Sequence, residues 1–596
     1  MSAAAFLGRH LCGNIGRSLR LGLSAASLAV LAACGGASGD ASGRDEIAQA
    51  QNAKPASTAE AARFLTQASF GPTEADIARL STLGYGAWID EQLAKPAHSH
   101  AATWDARDAA AKALNANSSA GQDGVTNSFW QAAVTGEDQL RQRVAFALSQ
   151  ILVISMAGSS VGDSPRAVAS YLDLLADKGL GNYRDLLEAV SLHPMMGTYL
   201  SHLRNQKADP RTGRVPDENY AREVMQLFSV GLVELDTDGT PRTDSTGKAL
   251  ETYTPADVAG LARVFTGWSW DCPDGPDNSC FFGGSVGGNA YADRTSRPML
   301  GYAQFHSTEE KKFLGVTLAA QTRADPYASL KTGLDTLFNH PNVGPFIGRQ
   351  LIQRLVTSNP SPAYVRTVAQ TFNDNGAGVR GDMKAVIKAV LLHPEARKAS
   401  DTAGKLREPV LRLTAYLRAF PHRSDTGTWN IGPTDDAGTA LAQSAMRSPS
   451  VFNFYRPGYV PPGTQAAARG LAVPELQIAH ETSAAGYVNY MRDAVGFGVG
   501  RSSSVSGSNR RDVQPDFTAE LALAEQPEAL VERVNARLLA GAMPAALKSE
   551  IVGAIQSIVI PAPTSSNATQ VANAKRNRVN AAIFLALVSP EFLVQK

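Results

Sequence analysis

The stretch "PDENYAREVMQLFSVGL" at residues 216–232 predicts a short, well-delimited helix. Asp217 is a favourable N-cap residue and Gly231 is typical of the position just past a helix C terminus, so we expect a helix over about 218–230. Its apolar residues recur at helical spacing, as they do along most of the chain, whereas strand signals are sparse. The sequence therefore predicts a mainly α fold.

The polar face of this predicted helix is dense. Asn219, Arg222, Glu223 and Gln226 share one face at 100° per residue. Glu218 lies four residues before Arg222, and Asn219 lies four before Glu223, so these side chains can support each other without a ligand. Two interpretations stay open: a paired structural face, or a face that binds a ligand.

The rest of the sequence predicts a large multi-helix globular body with short helix hairpins and one small β-hairpin excursion at 233–254. Three predicted helices end in a His-Pro pair, at His193, His340 and His393. A histidine there can cap a helix, and its cation suits the negative end of the helix dipole. Metal binding by these histidines is the alternative.

The N-terminal residues predict export. Basic residues precede the apolar segment "LGLSAASLAVLAA" (21–33), which is too short to span a membrane. The adjoining "LAAC" resembles a bacterial lipobox, in which Cys34 becomes the lipidated first residue; a plain signal peptide is the alternative. We therefore expect a lipoprotein signal peptide at 1–33, a lipid-attached flexible tether at 34–57, and membrane attachment through that lipid.

Two further inferences concern the location of the protein. Gly35, in place of a retaining Asp, favours the outer membrane of a Gram-negative bacterium, on its periplasmic or cell-surface side. Of the four cysteines, Cys272 and Cys280 remain in the body, at the ends of "CPDGPDNSC". An oxidising compartment predicts a disulfide between them, whereas a metal held by this pair would lack half of a tetrahedral ligand set.

Composition excludes some classes of function. Lys and Arg number 56 against 55 Asp and Glu, and no basic stripe stands out, which argues against a nucleic-acid partner. The sequence carries no phosphate-binding loop, dinucleotide fingerprint or haem-attachment motif, so we expect no cofactor. It also offers no convincing metal site.

Five blocks of sequence carry a family resemblance. They are "ENYAREVMQLFSVG" (218–231), "YTPADVAGLARVFTGW" (253–268), "FHSTEEKKFLG" (305–315), "LFNHPNVGPFIGRQLI" (337–352) and "SPSVFNFYRPGYVPPG" (448–463). In this order they resemble the bacterial family catalogued as "domain of unknown function 1800", from about residue 60 to the C terminus. The resemblance implies an exported, mostly helical protein without an established activity, often encoded beside a second exported protein of a sulfatase- or phosphatase-like family.

The family's characteristic polar residues fall here on Glu218, Asn219, Arg222, Glu223, His306, Lys311 and Gly315. The chain also departs from the family pattern. Gln226 and Phe228 stand where many relatives carry a Glu and a His, and "AFALSQILV" (145–153) stands where many show a Trp–His–Asn–His run. These departures weaken any metal site inferred from relatives.

Two hypotheses of function follow for the helical body at 58–596, which has a possible sub-boundary near 271–300. The first is a lipid-anchored protein that binds a partner protein or polymer in the cell envelope through Glu218, Asn219, Gln226 and Arg456. Arg456 stands in "FNFYRPGY" (452–459), whose aromatic side chains can stack on sugars or fill a hydrophobic gap. The second is a periplasmic enzyme that acts on an anionic or polysaccharide substrate with Glu223, Arg222, His306 and Lys311 as catalytic residues.

Overall fold

The computed structural model describes residues 41–275, 277–398, 403–502 and 510–596. The predicted mainly α class is confirmed, because helices dominate and the strands form only two- and three-stranded sheets. The signal peptide predicted at 1–33 and Cys34 lie outside the described residues. No helix in the described ranges is long and apolar enough to cross a membrane.

Residues 41–199 form eleven helices. They are α1 Ala41–Gln51, α2 Thr58–Ala68, α3 Glu74–Leu83, α4 Tyr85–Ala94, α5 His100–Leu114, α6 Gly121–Thr135, α7 Gln139–Ser149, α8 Ser159–Gly162, α9 Pro165–Lys178, α10 Tyr183–Leu192 and α11 Pro194–Tyr199.

The next segment mixes short helices with short strands. Its helices are α12 Asn219–Gln226, α13 Pro255–Ala262 and α14 Asn278–Gly283. Its strands are β1 Trp268–Ser269, β2 Ser285–Val286, β3 Asn289–Ala290, β4 Leu300–Gly301, β5 Lys311–Phe313 and β6 Val316–Leu318. β1 pairs with β4, β2 with β3 and β5 with β6, all antiparallel.

Five helices follow and lead to a single strand. They are α15 Pro326–Asn339, α16 Val343–Leu355, α17 Pro362–Asn373, α18 Met383–Leu392 and α19 Pro394–Arg397, and the strand is β7 Lys405–Leu406.

The C-terminal part is again helical. Its helices are α20 Pro409–Ala419, α21 Gln465–Ala468, α22 Glu481–Phe497, α23 Thr518–Leu521, α24 Pro527–Leu539, α25 Ala545–Gln556, α26 Ala568–Leu587 and α27 Pro590–Leu593, with a 3-10 helix at Pro474–Ile478. Its strands are β8 His422–Ser424, β9 Val499–Ser502, β10 Arg511–Pro515 and β11 Val594–Gln595. β10 lies between β8 and β9, and β11 pairs antiparallel with β7.

The predicted β excursion at 233–254 is less regular than a hairpin. Isolated bridges join Val233 with Glu251, Leu235 with Pro241, and Thr243 with Ala249. Regular strands occur elsewhere instead, as five small sheets among the described residues. Most of them are too short to leave an alternating pattern in the sequence.

The His-Pro pairs end helices as predicted, but their histidines act as hydrogen-bond acceptors. Nδ1 of His193 accepts a hydrogen bond from the backbone N–H of Met195 at 3.2 Å, and Nδ1 of His393 accepts one from Glu395 at 3.3 Å. Burial lowers the pKa of His193 to about 3 and that of His393 to about 4, so both rings are neutral at pH 7. The expected cation at the helix dipole is therefore wrong at these two positions.

Part of the segment predicted as a flexible tether is helical. α1 packs against α4, α17 and α18, and Ala50 is buried in the core. Arg44 Nη2 donates hydrogen bonds to the carbonyl oxygens of Gln370 and Asp374, at 2.9 and 3.1 Å. Residues 41–51 therefore belong to the folded body.

Two large hydrophobic clusters form the interior. The first extends through α1 to α13 and α15 to α19, and the second joins α20, α22 and α24 to α27 with aromatic residues of α6 and α7. A third, small cluster surrounds Cys272 and Cys280, which form the predicted disulfide with a Cα–Cα distance of 6.1 Å. Tyr302 belongs to this cluster and donates a hydrogen bond to the Trp270 carbonyl at 2.6 Å.

A buried ionic junction, made of Lys405, Glu408 and Glu475, lies beside the start of α20. Lys405 Nζ is 3.0 Å from Glu475 Oε1 and 3.7 Å from Glu408 Oε1, and all three side chains are enclosed. Lys405 also donates to the Arg354 carbonyl of α16 at 3.0 Å. The junction therefore ties α16 of the first cluster to the start of α20 in the second.

Candidate functional site

Helix α12 occupies the place that the sequence predicts, with a shorter C-terminal end. The N-cap residue is Glu218, one position after the predicted Asp217, and its side chain makes no capping hydrogen bond; Asp217 Oδ1 instead accepts a hydrogen bond from the Asn219 N–H at 2.8 Å. The helix ends at Gln226 because the N–H groups of Val230 and Gly231 both turn back to the Met225 carbonyl. Gly231 has a φ of +73°, and a Cβ there would lie 2.8 Å from the Phe346 ring.

The exposed part of the polar face is internally paired. Arg222 Nη2 lies 2.9 Å from Glu218 Oε2, and both side chains are roughly half exposed. Asn219 Nδ2 donates to Ser201 Oγ at 3.3 Å, and Gln226 is half-buried. These contacts fit the structural interpretation of the face, and a half-exposed ion pair of this kind stabilises a helix only weakly.

Glu223 differs from its neighbours because it is only 9% exposed. Its Oε2 atom is buried and has no hydrogen-bond partner among the described residues. Burial raises the pKa of this carboxyl, against the opposing effect of Arg222. The Glu223 charge also raises the pKa values of Tyr199 and Tyr253, whose own burial is the larger cause, so these two phenols lie close to it.

His306 and Lys311, the other predicted catalytic residues, are enclosed and hydrogen-bonded within the fold. His306 Nδ1 lies 2.7 Å from the Thr266 carbonyl and Nε2 lies 2.9 Å from Ser329 Oγ. Burial lowers the pKa of His306 to about 4 and that of Lys311 to about 8. Lys311 Nζ donates to the Ser307 carbonyl at 2.8 Å.

The structure therefore does not join the four predicted catalytic residues into one constellation. Among the described residues, no hydrogen bond or ion pair connects Glu223 with His306 or Lys311. The bonding of His306 and Lys311 favours a structural role for both. No group of three or more His, Cys, Asp or Glu side chains in the described ranges is arranged to hold a metal ion.

The aromatic segment around Arg456 divides into a buried and an exposed part. Tyr455 is buried, and its hydroxyl lies 3.3 Å from Gln150 Oε1. Arg456 is exposed, and its guanidinium lies 4.4 Å from the centre of the Phe452 ring. Tyr455 therefore fills a gap in the interior, while Arg456 and Phe452 form an exposed cation–π pair.

A cleft of about 530 Å³ opens between α2 and the C-terminal helices α24 and α27. This volume falls within the range of small-molecule sites. Four cationic side chains line it, against one carboxylate from Glu591: Arg63, Arg407, Arg537 and Lys596. Two of the cations are already engaged, since Arg63 donates to the Arg397 carbonyl at 2.8 Å and Arg537 lies 2.9 Å from Glu74.

Arg407 is the exception among these cations. It is 8% exposed, its Nε has no partner, and its guanidinium makes no hydrogen bond or ion pair with any described residue. Its one contact of note is with the Phe592 ring, whose centre lies 4.6 Å away. Burial lowers the pKa of Arg407 to about 10, so the group is still a cation at pH 7.

A second groove, of about 650 Å³, lies between β8, β10, α22 and α26. It is also lined by arginines, but two of them are compensated: Arg510 lies 2.6 Å from Asp425, and Arg423 lies 3.7 Å from the same carboxylate. The third arginine of this groove, Arg576, is exposed to solvent, whereas Arg407 is buried and has no counter-ion among the described residues.

Sequence reasoning missed Arg407 because its surroundings come from distant segments. Its backbone N–H donates to the Leu593 carbonyl at 2.7 Å, and the facing wall of the cleft comes from α2. One local signal was present. Arg407 stands just before the N terminus of α20, the positive end of the helix dipole, where a cation is disfavoured.

Comparison with known proteins gives one match. The family model described as "Protein of unknown function (DUF1800)" matches residues 63–594, a range that includes α12 and nearly all of the cleft lining. No curated protein and no solved structure matches the chain. Since the family model covers most of the sequence, the chain belongs to the DUF1800 family of proteins of unknown function.

Proposed function

We propose that the protein is a lipid-anchored ligand-binding protein of the bacterial cell envelope, and that it holds an anionic group against Arg407 in the cleft. The observation that carries this proposal is the buried Arg407 side chain, for which the described residues supply no counter-ion. A buried charge is strongly disfavoured unless it is paired, and arginine cannot lose its proton to escape that cost. An anion in the cleft would supply the missing partner.

The location of the protein forms the second part of the proposal. "LAAC" ahead of Gly35 supports lipidation of Cys34, and the Cys272–Cys280 disulfide is consistent with an oxidising compartment. We place the protein on the periplasmic or cell-surface side of the outer membrane, with a second exported protein of the sulfatase- or phosphatase-like family as a partner. Labelling with radioactive palmitate tests the anchor: the wild type is expected to incorporate label, and a Cys34→Ala variant is not.

The enzymatic alternative rests on Glu223. A carboxyl with a raised pKa beside two tyrosines can donate a proton, and Arg222 stands next to it. The enclosed positions of His306 and Lys311 leave this carboxyl without the second titratable group that the alternative requires. Ligand binding is therefore the function that the geometry supports best.

Anion-dependent thermal stability tests the binding proposal. We expect at least one anion, from a set of acetate, sulfate, phosphate, trigalacturonate and octanoate, to raise the melting temperature of the full chain with increasing concentration. Arg407→Met is expected to weaken that effect about 10- to 100-fold, the usual value of a charge-assisted hydrogen bond. The control Arg469→Met removes an exposed arginine and should behave like the wild type.

The stability of the ligand-free variant separates binding from a structural role. Because Arg407→Met removes an unpaired buried charge, the ligand-free variant is expected to melt at or above the wild-type temperature. The proposal fails if no anion stabilises the wild type, or if Arg407→Met responds to every anion as the wild type does.

A further inference from the structure

The cleft around Arg407 combines one buried cation that has no counter-ion among the described residues with a mostly apolar lining. Its apolar residues come from both ends of the body, and they include Leu538, Leu539, Pro544, Pro590 and Phe592. Resting on the proposed function, we infer that the occupant is a long-chain carboxylate, an amphiphile of the fatty-acid class whose head group pairs with Arg407 and whose chain lies along the apolar residues.

The inference of a carboxylate head group rests on which hydrogen-bond donors of the cleft have no acceptor. Arg407 is the one arginine of the cleft without an acceptor among the described residues, since Arg63 and Arg537 have theirs, and the remaining cation, Lys596, is exposed to solvent. One guanidinium matches one carboxylate in charge and in shape, because its two parallel N–H groups fit two carboxylate oxygens. A phosphate dianion would bring two negative charges to this single buried guanidinium.

The inference of a hydrocarbon tail rests on the volume of the cleft and on the small number of polar side chains that line it. If each non-hydrogen atom takes about 30 Å³, as a water molecule does in the liquid, the 530 Å³ cleft holds roughly 17 such atoms. Apart from the charged residues, Thr66 and Gln595 are the polar side chains along it. A sugar of this size would bury many hydroxyl groups without partners, whereas a hydrocarbon chain needs none.

Calorimetry on the full chain, with soluble probes below their micelle concentrations, tests the chain requirement. Acetate, octanoate and laurate (a saturated twelve-carbon carboxylate) share a head group and differ only in length. Each added methylene is expected to tighten binding about fourfold, so laurate should bind roughly 250-fold more tightly than octanoate. If acetate binds through Arg407 as tightly as laurate does, the amphiphile inference fails while the anion proposal stands.

Two further probes with the same chain test the carboxylate. Dodecyl maltoside is neutral and is expected to bind at least tenfold more weakly than laurate, and dodecyl phosphate should bind no more tightly than laurate. Equal binding of the maltoside, or tighter binding of the phosphate, overturns the assignment of the head group. If none of these probes binds while sulfate, phosphate or trigalacturonate stabilises the wild type, the inference fails and the proposed function stands; if no anion of either set acts, both fail.

Three variants locate the site. Arg407→Met is expected to weaken laurate binding at least tenfold, and Arg407→Lys, which keeps the charge without the planar fork, should give an intermediate loss. Leu539→Asp places a negative charge on the apolar wall. This charge repels the carboxylate of laurate, so the variant should also bind laurate more weakly. Arg469→Met is the matched control. Wild-type affinity for laurate in a folded Arg407→Met protein, checked by circular dichroism, would exclude the site.

Discussion

Glu223 and Arg407 share an unusual environment and respond to it differently. Each is at least nine-tenths buried and keeps a side-chain atom without a hydrogen-bond partner. Glu223 can become neutral by binding a proton, and burial does raise its pKa. Arg407 has no such route at physiological pH, and no described residue supplies a counter-ion, which is why we propose a ligand for it. The same degree of burial therefore points to a ligand only at Arg407.

Substitution of Lys311 tests whether this residue has a structural or a catalytic role. Lys311→Met removes the donor to the carbonyls of the buried Ser307 and of the exposed Glu309, and we expect it to lower the free energy of unfolding by about 1–3 kcal/mol. Lys312→Met, at the exposed neighbouring position, should change it by less than about 0.5 kcal/mol. Urea denaturation measures both. Equal stability of the two variants would remove the structural explanation for Lys311.

The candidate site was only partly predictable from the sequence. Helical spacing correctly placed Glu218 and Arg222 as an exposed pair, because that contact is local. The same spacing assigned Glu223 to the polar face, yet its burial and its proximity to Tyr199 and Tyr253 arise from tertiary packing. Arg407 depends entirely on segments far away in the chain, and no local pattern reveals which of them will face it.

At the scale of the elements, local sequence signals indicated roughly where helices begin and end, but not which distant helices each of them packs against. The predicted helix at 218–230 was found at Asn219–Gln226, because the turn before Gly231 uses carbonyls that a longer helix would need. α1 was missed because its sequence has few apolar residues. Its stability comes from α17 and α18, more than 300 residues away.

Loss of the Cys272–Cys280 disulfide should destabilise only the segment around it. A double variant, Cys272→Ser and Cys280→Ser, is expected to cost about 2.5 kcal/mol in the small cluster around Tyr302, the loop-closure value for a ring of this length. Limited proteolysis should then cut within 272–298 faster than in the oxidised wild type, while cleavage elsewhere stays the same. An unchanged rate in that segment would show that the disulfide is not needed to hold it.

At the scale of the whole molecule, substitutions in the ionic junction should strongly lower the stability of the fold. Lys405→Met leaves the carboxylates of Glu408 and Glu475 without their shared cation, and we expect a loss of about 3–5 kcal/mol. Adding Glu475→Gln to Lys405→Met should recover part of that loss, because one buried negative charge disappears. Lys384→Met, at an exposed lysine of α18, is the control. A loss no larger than that of the control would contradict the assignment.

Buried histidines should make the entire fold sensitive to acid. Six of them have pKa values lowered by burial from 6.5 to about 4 or below: His100, His193, His202, His306, His393 and His422. Between pH 6.5 and 4 the unfolded chain binds more protons than the folded one at these sites, so the free energy of unfolding falls as the pH falls. Each histidine contributes up to about 1.4 kcal/mol per pH unit. Burial of Glu223 and Glu475 has the opposite sign, because it raises their pKa values.

Urea denaturation at pH 7, 5.5 and 4.5 measures this dependence. We expect the midpoint to fall at each step. A midpoint that stays constant or rises over this range would show that the six rings do not remain neutral in the folded protein.

The position of helix α1 limits how far the folded body could lie from a lipid attached to Cys34. A lipid on Cys34 would leave seven residues before Ala41, and fully extended chain spans at most about 25 Å over that length, against about 80 Å for the whole 34–57 segment. The folded body would then lie close to the bilayer that carries the lipid. If the proposed anchor is present, any ligand or partner would have to reach the protein close to the membrane that carries the lipid.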